Sequence, residues 1–445
     1  MAHGPTADQI FKRIGAIQDA EAHLFAGRGD VIDATLESLE ESGAVPVIFG
    51  ERGIGKSSVA WRIFNILRYK DTNAEFEKIA AAFNLDDSYI PLWVECGDWF
   101  SGIESALLAL LLPKGLRQAV TIADLFPDLL SAEQRARAEA TFELNIALFK
   151  ASLKLGTVSD REAIAQALRA ATDKALADPI EMFSQVGARL ISEYPQSTLI
   201  VFIDEFDRLP DKSMVGSILK TLSRVRFVIV GVGKTSSELI GSHQSVDRKI
   251  INIEVPVFTN DEAMHIFDNA EKASLAFDGS KGISFSNGFK DKIIQDTGGY
   301  PNLIQKVGYY CVQSERLYRK MFDDAVRVKK ESYLPSLEAM FKSKSRRGAA
   351  EDEVETRLAE ATMNAPRRTE VIRAMVRLNN EWSTLSEFFP KMEKKNHQNL
   401  QGNLDTLVTM GVFMKDDEER YKFSAPLYFM ASSLLLEARE AAEKE

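Results

Sequence analysis

A glycine-rich segment near the amino terminus carries the clearest chemical signal in the chain. It matches G-x-x-x-x-G-K-[ST] at every fixed position and consists of Gly50, Glu51, Arg52, Gly53, Ile54, Gly55, Lys56 and Ser57. Glycines allow positive φ angles and leave room for a phosphate beside the backbone. Backbone N–H groups, including those of the first helical turn at Ser58, would then face the anion. The segment predicts a phosphate-binding loop; a plain turn that begins a helix is the alternative.

The residues on both sides of this loop have the pattern that such a site needs. Val45–Phe49 is a short apolar run that predicts a buried strand. After the loop, Val59, Ile63 and Leu67 are spaced four apart and share one face of a predicted helix. In this setting Lys56 would reach the β- and γ-phosphates of a nucleotide, and the Ser57 hydroxyl would bind Mg²⁺.

A second cluster of chemically useful residues follows a later apolar run. Residues 199–203 are all apolar and predict a strand that is buried on both faces. Asp204 and Glu205 come directly after it, at the end of the strand where α/β sheets bind ligands. Asp204 would hold Mg²⁺, usually through water, and Glu205 would position or deprotonate the attacking water. The alternative is a solvated acidic turn.

Two further segments allow both a functional and a structural interpretation. Arg28 follows an apolar-Gly pair and precedes a helical pattern, so it could lie near an adenine or belong to a turn capped by Asp30. Residues 234–236, Lys-Thr-Ser, follow a predicted strand at 226–233. They could contact a γ-phosphate and report its presence, or form an ordinary polar loop.

The ordered set of motifs resembles AAA+ ATPases of the origin-recognition type and the related STAND signalling ATPases. The resemblance covers about residues 20–320 and implies ATP and Mg²⁺ as cofactors. Arg248, followed by a strand and a proline, resembles the arginine finger of these families. Pro301, in Gly-Tyr-Pro, resembles the lid proline that lies against the base. No arginine follows Pro301 at the usual second-sensor position, where Lys306 is the nearest cation, which favours a slow switch over a motor.

Composition places the chain among ordinary globular proteins and excludes several classes. It has 445 residues, 45% hydrophobic and 27% charged, so two or three domains are expected. The net charge of −10 argues against a general polyanion binder. Cys96 and Cys311 are the only cysteines, which excludes a disulfide framework and a four-cysteine zinc site. No signal segment or membrane span is evident, so a cytoplasmic location is expected.

The predicted fold is an α/β P-loop NTPase with a parallel sheet, a helical lid and a carboxyl-terminal winged-helix domain. The nucleotide domain is placed at residues 1–258, with a helical insertion at about 97–197 that includes a possible short strand at 153–158. The insertion could hold a partner or only add packing. The lid is placed at 259–345, with Asn260 or Asp261 capping its first helix. A linker covers 346–363; its charged surroundings favour a solvated segment over a nucleic-acid tail.

The last part of the chain, residues 364–445, predicts three helices and a hairpin, as in a winged helix. Its third helix is expected at 394–410, and its first residues could reach nucleic-acid bases. These residues are Lys394, Lys395, His397, Gln398 and Asn399. Four consecutive acids at 416–419 occupy the predicted hairpin tip and would repel phosphates. Protein docking is therefore favoured over DNA binding.

The sequence as a whole predicts an ATP-hydrolysing conformational switch that self-associates and regulates a protein partner. One alternative is a DNA-binding ATPase in replication, transposition or plasmid maintenance. Another is a regulatory ATPase of a defence system that acts on a separate effector.

Overall fold

A computed structural model describes most of the chain as two compact units. The described residues are 7–12, 16–17, 19–41, 43–69, 88–97, 100–112, 120–128, 179–195, 197–222, 225–241, 247–275, 282–318, 326–342, 349–380, 382–392 and 399–442. The sheet unit comprises Ala16–Ala22 and Arg28–Pro256, and the helical unit comprises Met1–Gly15, His23–Gly27 and Val257–Glu445. Each unit has a hydrophobic core of its own.

A five-stranded parallel sheet forms the centre of the sheet unit. Its strands, in chain order, are β1 Val45–Phe49, β2 Ser88–Glu95, β3 Ser197–Asp204, β4 Val225–Val230 and β5 Ile250–Glu254. Their spatial order is β2-β3-β4-β1-β5, with every neighbouring pair parallel. The predicted α/β fold with a parallel sheet is confirmed.

Helices alternate with the strands of this sheet along the chain. In chain order they are α2 Gly29–Glu40, α3 Lys56–Tyr69, α4 Ile103–Ala109, α5 Ile122–Leu125, α6 Pro179–Glu193, α7 Val215–Thr221 and α8 Ser236–Ile240. Val59, Ile63 and Leu67 of α3 are all buried, as their spacing predicts. The possible strand at 153–158 lies outside the described residues.

Pro91 lies inside β2, where a proline would disrupt most strands. β2 is an edge strand that pairs with β3 on one side. On its other side, the Trp93 N–H donates to the Val120 carbonyl, 3.0 Å away. Because residues two apart present their N–H groups to the same side of a strand, the missing N–H of Pro91 would face outward. The proline therefore leaves the pairing with β3 intact.

Within its described residues, the helical unit contains ten further helices and four short strands. The helices are α1 Ala7–Ile10, α9 Asn260–Leu275, α10 Asn287–Thr297, α11 Pro301–Tyr318, α12 Tyr333–Lys342, α13 Ala349–Thr362, α14 Pro366–Leu378, α15 Leu385–Phe388, α16 Leu400–Thr409 and α17 Pro426–Ala442. The strands β6 Ile283–Phe285 and β7 Val326–Val328 form a parallel pair, and β8 Phe413–Lys415 and β9 Tyr421–Phe423 form an antiparallel hairpin. Short 3-10 helices lie at Asp19–Leu24, Phe206–Arg208, Asp247–Lys249, Lys330–Ser332 and Phe389–Lys391.

The start of α9 differs from the sequence-based expectation. The Thr259 hydroxyl accepts from the Glu262 N–H at 3.3 Å, and the Glu262 carboxylate accepts from the Thr259 N–H at 3.0 Å. Thr259 is therefore the capping residue, and the prediction of Asn260 or Asp261 was wrong. The reciprocal bonds form a capping box, which satisfies two N–H groups at once.

Helix α17 packs against helices of the predicted lid and against helices that follow it in the chain. It contacts α10 and α12, from the predicted lid, and α13 and α14, which follow. The buried residues of this unit, from Ala7 to Ala431, accordingly form one hydrophobic cluster.

Candidate phosphate-binding site

The loop from Gly50 to Gly55 adopts a backbone conformation that ordinary residues rarely take. Gly50, Gly53 and Gly55 have φ angles of +146°, +85° and +94°. A Cβ atom added to Gly50 would lie 2.5 Å from the side chain of Ile54 and 2.9 Å from the Val255 carbonyl oxygen. Glycine is required there for both conformation and space. The loop thus has the backbone freedom that an anion cradle needs.

Lys56 begins α3 and turns its side chain back over the loop. The side chain is buried, and its Nζ donates a hydrogen bond to the Glu51 carbonyl at 2.6 Å. Burial lowers the pKa of Lys56 to about 8, whereas the nearby carboxylates of Asp207 and Asp204 favour its charged form. A phosphate bound at the glycine-rich loop would stabilise the charged form of this buried ammonium group, because the anion would replace the water lost on burial.

Ser57 and Asp204 meet although they are far apart in sequence. The Ser57 side chain hydrogen bonds the Asp204 carboxylate, and the Glu205 N–H donates to Asp204 Oδ1 at 2.8 Å. Burial has the largest influence on this carboxyl group, and the pKa of Asp204 is raised to about 7. The structure therefore brings together the two predicted magnesium ligands.

The oxygen donors of Ser57 and Asp204 fit a hard cation, and a cation would relieve the cost of ionising the buried carboxyl group. Among the described residues, no group of three or more His, Cys, Asp or Glu side chains could hold a metal ion by itself.

Glu205 directly follows the strand end in a left-handed conformation. Its φ angle is +52°, and its carboxylate lies 2.7 Å from Arg208 Nε. Both side chains are about one-third exposed, so the pair contributes little stability. Arg208 was not singled out from the sequence, and its spacing of three residues from the acid is the signal that could have found it.

Asp207 is a second residue that the sequence analysis missed. Its Oδ1 accepts a hydrogen bond from the Val232 N–H at 2.8 Å, which ties the loop after β4 to the end of β3. Its charge also favours protonation of Lys56. The sequence signal that could have indicated Asp207 is its position as a further acidic residue, two positions after Glu205.

The Lys-Thr-Ser segment after β4 lies beside the phosphate loop and also has a local structural task. The Gly233 N–H donates to the Gly50 carbonyl at 3.4 Å. Thr235 caps α8, because its hydroxyl accepts from the Glu238 N–H at 3.2 Å. The contact with Gly50 fits a γ-phosphate reporter, whereas the cap fits a polar loop, and both interpretations stay open.

Arg28 precedes the loop in sequence and Ser58 follows it, and both side chains form hydrogen bonds in this region. The Arg28 guanidinium is buried and donates to the Ile54 carbonyl at 2.9 Å, while its own backbone is left-handed, with φ +71°. The Ser58 hydroxyl accepts from the Ile17 N–H at 3.0 Å. The side chains of Glu51 and Arg52 are exposed. An adenine contact by Arg28 stays a prediction.

Arg248 lies at the end of the sheet opposite to the loop. It is exposed in the 3-10 helix that leads into β5, which runs parallel to β1. Since β1 leads directly into Gly50, the five-residue strands place Arg248 roughly 16 Å away along the sheet. It does not join the site of its own chain; action in a neighbouring subunit stays a prediction.

Pro301 belongs to the helical unit, where it begins α11. Its contact with a nucleotide base stays a prediction. Lys306, one and a half turns further along α11, forms an ion pair with the buried Glu351 of α13.

The carboxyl-terminal hairpin holds its acids in local ion pairs. Asp416 lies 2.7 Å from Arg420 Nε, and Glu419 lies 2.9 Å from Lys415 Nζ. Residues 393–398, which include four of the five candidate base-contacting residues, lie outside the described part of the chain. Asn399 precedes α16 in a left-handed conformation.

Cys96 and Cys311 are both buried, and neither forms a disulfide bond. Within the described residues, every helix is too short or too polar to cross a bilayer.

Comparisons with known proteins gave matches only among solved structures. No protein-family model and no curated protein sequence matches the chain. The Walker-type ATPase PABY2304 of Pyrococcus abyssi is 14% identical, with a TM-score of 0.41 and coverage of 95% of this chain and 99% of that one. The Aeropyrum pernix ORC2 protein (ADPNP-ADP complexes) is 12% identical, with a TM-score of 0.45 and coverage of 99% and 100%. The Aeropyrum pernix ORC1 protein in complex with DNA is 14% identical, with a TM-score of 0.40 and coverage of 98% of each chain.

Proposed function

We propose that this protein binds ATP with Mg²⁺, hydrolyses it, and uses the cycle as a conformational switch of the AAA+ or STAND type. One observation carries the proposal. A glycine loop, a buried lysine and a hydrogen-bonded Ser57–Asp204 pair meet at the carboxyl edge of a parallel sheet. This is the edge where such sheets bind nucleotides.

The residues divide the work according to their chemistry. Loop N–H groups and the Lys56 ammonium hold the β- and γ-phosphates. Ser57 and Asp204 hold Mg²⁺, which when bound neutralises the charge that develops on the phosphates. Glu205 orients or deprotonates the attacking water, so its carboxylate must exchange its contact with Arg208 for a contact with that water.

The switch would act through self-association and a protein partner. Arg248 is exposed and distant from its own loop, as expected for a residue that completes a neighbouring subunit's site. The three helices α14–α16 and the hairpin β8–β9 are the elements of a winged helix, which we assign to protein docking. The acids at 416–419 at its tip and the acidic net charge support a protein partner over DNA.

Two substitutions separate nucleotide binding from hydrolysis. Lys56→Ala should weaken binding of a fluorescent ATP analogue at least tenfold, because the cation that contacts the phosphates is lost. Glu205→Gln should bind the analogue with wild-type affinity but hydrolyse ATP at least a hundredfold more slowly. Lys220→Ala removes an exposed lysine of α7 and should match the wild type in both assays. Wild-type affinity in Lys56→Ala would refute the proposal, and wild-type turnover in Glu205→Gln would remove Glu205 from the mechanism.

A further inference from the structure

Arg28 makes a buried contact with the centre of the phosphate loop. Its side chain is 3% exposed, and Nη2 donates to the Ile54 carbonyl oxygen at 2.9 Å. Ile54 is itself buried and lies between Gly53 and Gly55, both with positive φ. The guanidinium thus contacts the peptide unit that joins Ile54 to Gly55, in the part of the loop where glycines adopt positive φ.

The backbone of Arg28 is held in a conformation that costs energy. Its φ and ψ of 71° and 18° lie in the left-handed region, which is unfavourable for a residue with a Cβ atom. Its carbonyl accepts from the Ile32 N–H at 3.0 Å, so it also begins α2. The side chain is therefore aimed at the loop from the start of a regular helix.

The planar geometry of the peptide bond links this contact to the direction of an N–H group in the proposed anion site. The Ile54 C=O and the Gly55 N–H belong to one trans peptide unit and point in opposite directions. A guanidinium that holds the carbonyl oxygen on one side therefore directs the Gly55 N–H to the other side. In a phosphate-binding loop, N–H groups aimed in a common direction make the cradle.

We propose that Arg28 is a positioning residue that orients the peptide unit between Ile54 and Gly55 and so prepares the loop for phosphate. This inference rests on the proposed nucleotide-binding function and deepens it. It assigns Arg28 to the phosphate part of the ligand, whereas the sequence suggested the adenine.

The two assignments predict different patterns of ligand affinity. Arg28→Met keeps much of the side-chain volume but lacks the donor. Competition against a fluorescent ATP analogue, with ATP, GTP and tripolyphosphate as competitors, should show all three weakened by a similar factor of about ten, because one charge-assisted hydrogen bond that orders the loop is lost. The ratio of ATP to GTP affinity should not change.

A second measurement does not depend on a nucleotide. Hydrogen–deuterium exchange of the ligand-free protein should become faster in the peptide that contains residues 50–56, while peptides from β3 and β4 keep wild-type rates. A general loss of structure would instead raise exchange throughout the sheet unit. Arg28→Lys keeps the charge and one donor and should recover part of the affinity. Arg189→Met, at an exposed position of α6, is the matched control.

Several outcomes would overturn the inference. If Arg28→Met abolishes the preference for ATP over GTP while tripolyphosphate binds as before, Arg28 contacts the base. Unchanged affinities and unchanged exchange would show that the contact has no role in the loop. If the wild-type protein binds none of the three competitors, the proposed function fails and the inference fails with it.

Discussion

At the scale of single residues, the candidate site holds opposite charges in a buried setting that destabilises both. Burial lowers the pKa of Lys56 to about 8 and raises that of Asp204 to about 7. Ligand-binding residues often lower the stability of the ligand-free protein in this way. Two carboxyl groups of the segment Asp204–Asp207 also anchor backbone N–H groups, of Glu205 and Val232.

The raised pKa of Asp204 predicts how stability depends on pH. The folded protein holds this proton up to about pH 7, whereas the unfolded chain releases it near 3.8, so the folded state binds more protons between these values. The stability contributed by the protonated form is complete below pH 3.8 and is lost as the pH rises through 7. Asp204→Asn, which stays neutral, should raise the free energy of unfolding at pH 8 by up to about 4 kcal/mol.

Urea unfolding of the ligand-free protein at pH 5 and pH 8, followed by tryptophan fluorescence, measures this effect. The stability difference between Asp204→Asn and the wild type should be larger at pH 8. Glu40→Gln, at the exposed end of α2, is the control for loss of an acid and should show no such difference. A gain of equal size at both pH values would contradict the assigned cause.

At the scale of elements, a short connection between α10 and α11 positions the neighbouring helices. The helix α10 ends at two glycines with positive φ, after which Pro301 starts α11. The Phe258 N–H donates to the Gly299 carbonyl at 3.0 Å, which joins this junction to the segment before α9. This backbone hydrogen bond therefore links the start of α9 to the connection between α10 and α11.

Gly299→Ala tests this junction. A Cβ atom there would lie 2.5 Å from the Phe258 carbonyl oxygen, and φ is +75°. The clash and the strained backbone together should destabilise the helical unit by about 2 kcal/mol or more. Gly288→Ala, within the first turn of α10, is the matched control, because its added Cβ would meet nothing closer than 3.8 Å. Thermal unfolding should separate the two variants; equal midpoints would show that the junction can relax.

At the scale of the whole molecule, the location of Arg248 makes a prediction about assembly. If Arg248 completes the site of a neighbouring subunit, hydrolysis per chain should rise with protein concentration. Arg248→Ala and Lys56→Ala should each be inactive alone, and their mixture should recover part of the activity, because some interfaces pair an intact loop with an intact arginine. Arg189→Ala, which removes another exposed arginine, should hydrolyse ATP like the wild type. Hydrolysis that is independent of concentration, with no recovery on mixing, would place Arg248 in a structural role.

The net charge of −10 affects how the whole molecule would interact with a charged partner such as DNA. The ion pairs of Asp416 and Glu419 offset part of the acidity at the hairpin tip. The acidic net charge nevertheless predicts weak long-range attraction toward DNA.

The sequence by itself determined the features that depend on local pattern. Uninterrupted apolar runs indicated β1 and β3, and a four-residue period indicated the buried face of α3, because side-chain periodicity follows directly from helix and strand geometry. The motif spacing also selected Lys56, Ser57 and Asp204. These predictions needed no knowledge of where distant segments lie.

Only the tertiary structure decided which distant groups meet. The strand order puts β4 between β1 and β3, yet Ser57 and Asp204 are hydrogen bonded. The contact of Arg28 with Ile54 and that of Asp207 with Val232 join segments 26 and 25 residues apart. Such pairings depend on packing and on the direction of individual side chains, which residue types and spacing do not encode. For the same reason, the sequence did not show that the Arg28 guanidinium donates to a carbonyl of the phosphate loop, and its adenine contact stays a prediction.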